Sequence, residues 1–149
     1  MKRQAYMTIA VIMLVVAAGL STAQAQTSRS TELRANIPFE FSVGNQTMPA
    51  GEYTVQCTNP DSSMKVLQVR SRDGHASALI QTNSVIGMTQ EDAKLVFNRY
   101  GGQYFFAQAW LPADSLGMQV PKSRSEKQTA RELAGDRKSK DLVAITARR

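Results

Sequence analysis

His75 is the only histidine and Cys57 the only cysteine in a chain of 149 residues, and these two bound the chemistry within reach. Nucleophilic catalysis needs a base beside the nucleophile, and no spacing in the chain brings these two residues together. His75 directly follows Asp73-Gly74 at an expected hairpin tip, where a solvated turn residue is the simplest reading. In Tyr53-x-Val55-x-Cys57 the thiol shares a face with two apolar neighbours, as a buried small hydrophobe does. One histidine and one cysteine do not make any of the usual zinc ligand sets. The acids are scattered, and Glu91-Asp92 is the only adjacent pair. The glycine-anchored calcium loop is missing, and no glycine-rich loop opens a helix to cradle phosphate. Glu40, Glu52 and Asp114 would serve glycoside hydrolysis only if the fold converged them, and no spacing supports that. No residue is therefore assigned to catalysis, a metal or a cofactor. The chain is read as non-enzymatic, with a secreted hydrolase as the weakest alternative.

The most suggestive surface is basic and aromatic: Arg70, Arg72, Asn98, Arg99 and Tyr100. Arg70 and Arg72 alternate onto one face at a strand end, and Arg99-Tyr100 borders Gly101-Gly102. If the two hairpins lie side by side, these five residues form a patch for an anionic or sugar-like ligand or partner. The simpler, competing reading leaves the arginines solvated, or paired with Glu40 and Glu52.

The elements that must position these residues have a period of two, which indicates strands. Ile37, Phe39, Phe41 and Val43 alternate with polar neighbours, and Pro38 puts that strand at an edge or near a strand start. Gly44-Asn45-Gln46 and Met48-Pro49-Ala50-Gly51 read as turns. Tyr53, Val55 and Cys57 resume the alternation. Between Val66 and Leu67 the apolar phase slips by one residue, as a bulge or a doubly covered strand would produce. Asp73-Gly74 and Gly101-Gly102 read as two-residue hairpin loops. Residues 83–93 read as a long irregular connection. Tyr104 to Leu111 is apolar on both faces, with Tyr104, Phe106 and Trp110 on one and Phe105, Ala107, Ala109 and Leu111 on the other. A strand so apolar belongs in the middle of a fold. Residues 114–121 read as a loop. Ser123-x-x-Glu126 matches the capping box and predicts a helix to Ala134, stopped by Gly135. Leu142 to Ile145 supply a last strand. The fold expected is mainly β: one antiparallel β-sandwich or small barrel of about six to eight strands with one short C-terminal helix.

The N-terminus carries an address. Lys2 and Arg3 precede an apolar stretch from Met7 to Leu20, and Ala23-Gln24-Ala25 supplies the small-x-small pattern of signal peptidase, with cleavage between Ala25 and Gln26. The stretch is short for a membrane span, which takes about 20 apolar residues. These features predict export by the general secretory route to the periplasm or the cell exterior. The organisation expected is a signal peptide at 1–25 and a flexible segment at 26–34. A β-rich domain follows at 35–134 with its helix at 123–134, then a basic segment at 135–149. Charge is uneven: the chain carries +6, yet residues 121–149 hold nine Lys/Arg against four Asp/Glu, and residues 26–120 hold seven against eight. A basic segment outside the cytoplasm meets envelope protein, anionic polymer or a lipid surface, and not nucleic acid. The plainer reading is a solvated tail with no dedicated partner; the binding reading predicts that deleting residues 136–149 leaves the fold intact and weakens association with the envelope.

Ile37-Pro38-Phe39-x-Phe41-x-Val43-Gly44 followed by Pro49-Ala50-Gly51-x-Tyr53-x-Val55 resembles the opening of an uncharacterised family of small exported bacterial β-rich proteins. Leu95-Val96-Phe97-x-Arg99-Tyr100-Gly101-x-x-Tyr104-Phe105 resembles its second hallmark, and Trp110 and Lys122-Ser123-x-x-Glu126 also fit. Met48 stands where the pattern has leucine. The resemblance covers roughly residues 35–134 and implies a shared exported β fold without implying an activity. The function expected is an exported binding or interaction domain, associated with the envelope. The alternative is a small-ligand carrier whose cavity is lined by Phe39, Phe41, Tyr53, Phe97, Phe106 and Trp110.

Overall fold

The structure, a computed structural model, describes residues 32–134 and 140–148. The expected signal peptide, its Ala25–Gln26 junction, residues 26–31 and the Gly135 helix stop lie outside the described residues. Those described form ten strands and one helix: β1 (Glu32–Ile37), β2 (Phe41–Val43), β3 (Gln46–Met48), β4 (Gly51–Cys57), β5 (Lys65–Ser71), β6 (Ser77–Ile86), β7 (Ala93–Tyr100), β8 (Gln103–Trp110), β9 (Leu116–Gln119), α1 (Arg124–Glu132) and β10 (Asp141–Ala147). The fold is mainly β, as expected, with more strands than expected.

The strands join in the order β1-β4-β5-β6-β9-β8. One edge of β8 carries β7, and β10 adds beyond β7. The other edge of β8 is shared between β9 and the short β2–β3 hairpin. Every ladder is antiparallel except the single Ser42–Phe105 pairing of β2 with β8. The sheet does not close through a ladder. β1 and β10 meet at one isolated bridge, in which Arg34 and Arg148 exchange backbone hydrogen bonds of 2.7 and 2.8 Å.

Several boundaries differ from the sequence reading, each for a local reason. The alternation through Ile37 and Val43 belongs to two strands: the chain breaks at Pro38, leaving Leu33, Ala35 and Ile37 on β1 and Phe41 and Val43 on β2. Residues 32–34 are thus ordered strand, with Leu33 in the core. β6 runs on through Asn83–Ile86 because β9 pairs with it there, so the expected 83–93 connection shrinks and the expected 114–121 loop contains a strand. The phase slip at Val66–Leu67 is no bulge: β5 pairs regularly on both sides, with Leu67 and Val69 inward and Val66 outward. Asp73-Gly74 sits in a longer turn, closed where the Ser71 N–H donates to the Ala76 carbonyl at 2.8 Å. Gly101-Gly102 is the two-residue loop expected, with Tyr100 opposite Gln103. Positive φ falls only on its first glycine, Gly101 at 58°, the pattern of a type II′ turn.

The register irregularity lies between β7 and β8 instead, where Val96–Gln108 is followed by Phe97–Phe106. Ala107 is the extra residue, and it resets which side chains face inward. Phe106 and Ala109 join Leu95 and Phe97 in the core, whereas Trp110 is on the other face. There Trp110 lies so close to Gly117 that a Cβ on that glycine would sit 2.8 Å from the indole. The two faces assigned to Tyr104–Leu111 from sequence are corrected accordingly.

The core is built from inward residues of nearly every strand, and its centre is aromatic. Phe97 touches Phe41 and Phe39 edge-on, each with centroids at 5.3 Å, and Phe106 at 5.5 Å, and Phe41 meets Tyr53 at 5.0 Å. Edge-to-face pairs at these separations are favourable beyond the area they bury. Cys57 lies in this core.

Helix α1 starts where the capping signature puts it: Ser123 accepts from the Glu126 N–H at 3.1 Å. The reciprocal half of the box is replaced. The Glu126 carboxylate is turned onto the sheet, where its Oε1 accepts from Asn98 Nδ2 at 2.8 Å and Tyr100 Oη at 3.2 Å. All three side chains are buried, so α1 is docked by a polar contact and not by its thin apolar face. The regular helix ends at Glu132, with Leu133 as the C-cap.

Candidate functional site

The five residues of the expected patch do not come together. Arg70 is on β5, and Asn98, Arg99 and Tyr100 are on β7, with β6, β9 and β8 between them in the sheet. Asn98 and Tyr100 are consumed by Glu126 beneath α1. Arg99 points to the opposite face, with its guanidinium 5.9 Å from the Tyr104 ring centre and its Nε bonded to the Gly101 carbonyl at 2.8 Å. Arg72 pairs with Glu52, one of the two acids the simpler reading offered it. Hydrogen bonding to Glu52, and then its charge, hold the Arg72 guanidinium above its ordinary pKa.

Ser71, Asp73 and His75 carry the residue types of a catalytic triad but not its geometry. The Ser71 hydroxyl donates to Asp73 and accepts from the Ala76 N–H at 2.9 Å. His75 meets Asp73 through its backbone N–H at 3.0 Å. The carboxylate therefore ties the turn together. The Ser71 hydroxyl, and after it the His75 N–H, hold the Asp73 carboxyl below its ordinary pKa. Beside it, burial and then the Asp73 charge push the Tyr53 phenol up, and that phenol donates to the Pro49 carbonyl at 2.6 Å.

What the sheet does assemble is a trough of about 1030 Å³ on the outer face of β1, β4, β5 and the end of β10. Its construction follows from register. Residues directly opposite each other in paired strands present their side chains on the same face. Arg148 is opposite Arg34, Arg34 opposite Thr54, and Thr54 opposite Arg70. Three arginines and a threonine thus form one row across four strands, and at a strand spacing of about 4.8 Å the row spans about 14 Å. A flanking row reads Glu32, Gln56, Gln68, and on the other side Asn36 is opposite Glu52. All of these residues line the trough.

The electrostatics are unbalanced. Arg34, Arg70, Arg72 and Arg148 face only Glu32 and Glu52 among the lining residues. Arg34 Nε pairs with Glu32 at 2.7 Å and Arg72 with Glu52, which leaves Arg70 and Arg148 without an acidic partner among the described residues. Like charges directly opposite each other in a sheet are destabilising; at the Arg34–Arg148 bridge Glu32 offsets part of that cost through Arg34, and Arg148 has no acid beside it among the described residues. Sequence reasoning singled out Arg70 and Arg72 but missed Arg34 and Arg148. The usable signal was an arginine at a wet position of an alternating strand, once in Leu33-Arg34-Ala35 and once at the chain end.

Among the described residues no group of three or more His, Cys, Asp or Glu is placed to hold a metal ion, and no helix is long and apolar enough to cross a membrane. Compared with known proteins, the chain matches no family model, no curated protein and no solved structure.

Proposed function

We propose that this is an exported, non-enzymatic binding domain of the bacterial envelope, of the family its Ile37–Val55 and Leu95–Phe105 motifs resemble, and that its working surface is the outer trough. The mature chain begins at Gln26, and its ligand is extended and anionic. One observation carries the reading: Arg148, Arg34 and Arg70 lie in a single row, with two of them directly opposite each other and two lacking an acidic partner among the described residues. An arrangement that costs stability in the free protein is relieved when a ligand supplies the missing negative charge. We read the form of the sheet as barrel-like, running β1-β4-β5-β6-β9-β8-β7-β10. Its support is the bridge between the two end strands and a common core fed from both sides. The aromatic rings pack on one another in that core, which favours a ligand outside the sheet over one within it.

The test is co-sedimentation with envelopes of the native host. The Arg70→Gln/Arg148→Gln double variant keeps its fold, because both side chains are exposed, and loses roughly tenfold or more in retention at physiological salt. Equal retention of the double variant and the parent would refute the reading.

A further inference from the structure

The ligand class of the trough is written in what lies between its arginines. Thr54 separates Arg34 from Arg70 in the row, Gln56 and Gln68 stand side by side in the flanking row, and Asn36 lies beyond. Amide and hydroxyl groups both donate and accept, so they are matched by a ligand that also does both. Phosphate chains and sulfated polymers offer acceptors almost alone. Nucleic acid is held through its charge density together with aromatic stacking, and among the described residues no aromatic ring faces the trough: Tyr53, beside Thr54 in the chain, is turned into the core against Phe41. Glu32 and Glu52 on the trough walls would repel a densely charged chain at close range. A polymer with one carboxylate per sugar and hydroxyls between is less densely charged than either a phosphate chain or nucleic acid, and it both donates and accepts.

Resting on the reading of the trough as an anion-binding face, we infer that its ligand is an acidic polysaccharide, a uronic-acid-type chain lying across the strands along the Arg148–Arg34–Thr54–Arg70 row. Its carboxylates are gripped by the guanidinium forks, which suit a planar carboxylate in two-point contact. Its hydroxyls bond to Asn36, Thr54, Gln56 and Gln68. One interstrand step of about 4.8 Å separates Arg148 from Arg34, and two separate Arg34 from Arg70. Carboxylates on neighbouring or alternate sugars therefore both fall within reach of the flexible arginines.

The experiment titrates the mature protein with three probes of matched length: oligogalacturonate, its methyl ester and linear polyphosphate. Oligogalacturonate binds, and esterification weakens it about tenfold or more. The Gln56→Ala/Gln68→Ala double variant weakens oligogalacturonate severalfold while leaving any residual polyphosphate binding unchanged. Arg70→Gln weakens both acidic probes. If polyphosphate binds more tightly than oligogalacturonate and the glutamines are silent, the polysaccharide inference falls and the anionic trough stands. If neither acidic probe binds, or if both bind and Arg70→Gln changes neither, the trough reading falls as well.

Discussion

Truncation after Lys140, which removes β10, lowers the stability of the domain by roughly 3–5 kcal/mol and its Tm by more than about 10 °C. The basic C-terminal segment ends in a strand, as Leu142 to Ile145 predict, and that strand is part of the fold where the sequence reading took the segment's deletion to leave the fold intact. It pairs with β7 through seven consecutive residue pairs, from Asp141–Arg99 to Ala147–Ala93. Its inward side chains, Val143, Ile145 and Ala147, pack against the core that holds Leu95 and Phe97. Without β10 that side of the core is open to water, β7 becomes a bare apolar edge, and the Arg34–Arg148 bridge is lost. A protein domain has a total stability of about 5–15 kcal/mol, so the truncated chain sits near the folding threshold and its β7 edge invites aggregation. Thermal unfolding followed by circular dichroism reads the effect, and a truncated domain that melts like the parent would contradict the role given to β10.

The Phe97→Ala variant loses about 3–5 kcal/mol. Phe97 is fully buried and touches Phe39, Phe41 and Phe106. Those rings come from β2, from β8 and from the segment joining β1 to β2, so the cavity left behind would be bounded by three parts of the chain. Strands held at both edges cannot easily collapse into it, and the cost belongs at the upper end of the range for such truncations. Urea unfolding measures it. A loss below about 1 kcal/mol would mean that the aromatic centre repacks freely and is not what ties these elements together.

These two expectations also mark how much was legible in the sequence. Where one face is dry and the other wet, alternation identifies both the strand and its inner face, as in Tyr53-Val55-Cys57 and Leu67-Val69. At Tyr104–Trp110 both faces are apolar, so the sequence holds no record of the bulge at Ala107 that turns Trp110 away from the core. β9 was hidden because glycine alternates with methionine in Leu116-Gly117-Met118. That glycine is there for the indole of Trp110, a contact that only the tertiary fold creates. Ser123 and Glu126 announced the helix start, yet the use of the Glu126 carboxylate depends on Asn98 and Tyr100 arriving beneath it. The trough was least legible of all. Arg34, Arg70 and Arg148 are remote in sequence, and they become neighbours through register across β10, β1, β4 and β5, which no local pattern encodes.

The account rests on the outer trough, and not the interior, as the face that meets ligand. The most direct test is a map of backbone amide shifts on adding oligogalacturonate to the isotopically labelled mature protein. The account predicts perturbations at Arg34, Thr54, Gln56, Gln68, Arg70 and Arg148, with Leu95, Phe97 and Phe106 unmoved. Shifts concentrated in the aromatic core or beneath α1, with the arginine row silent, would contradict it.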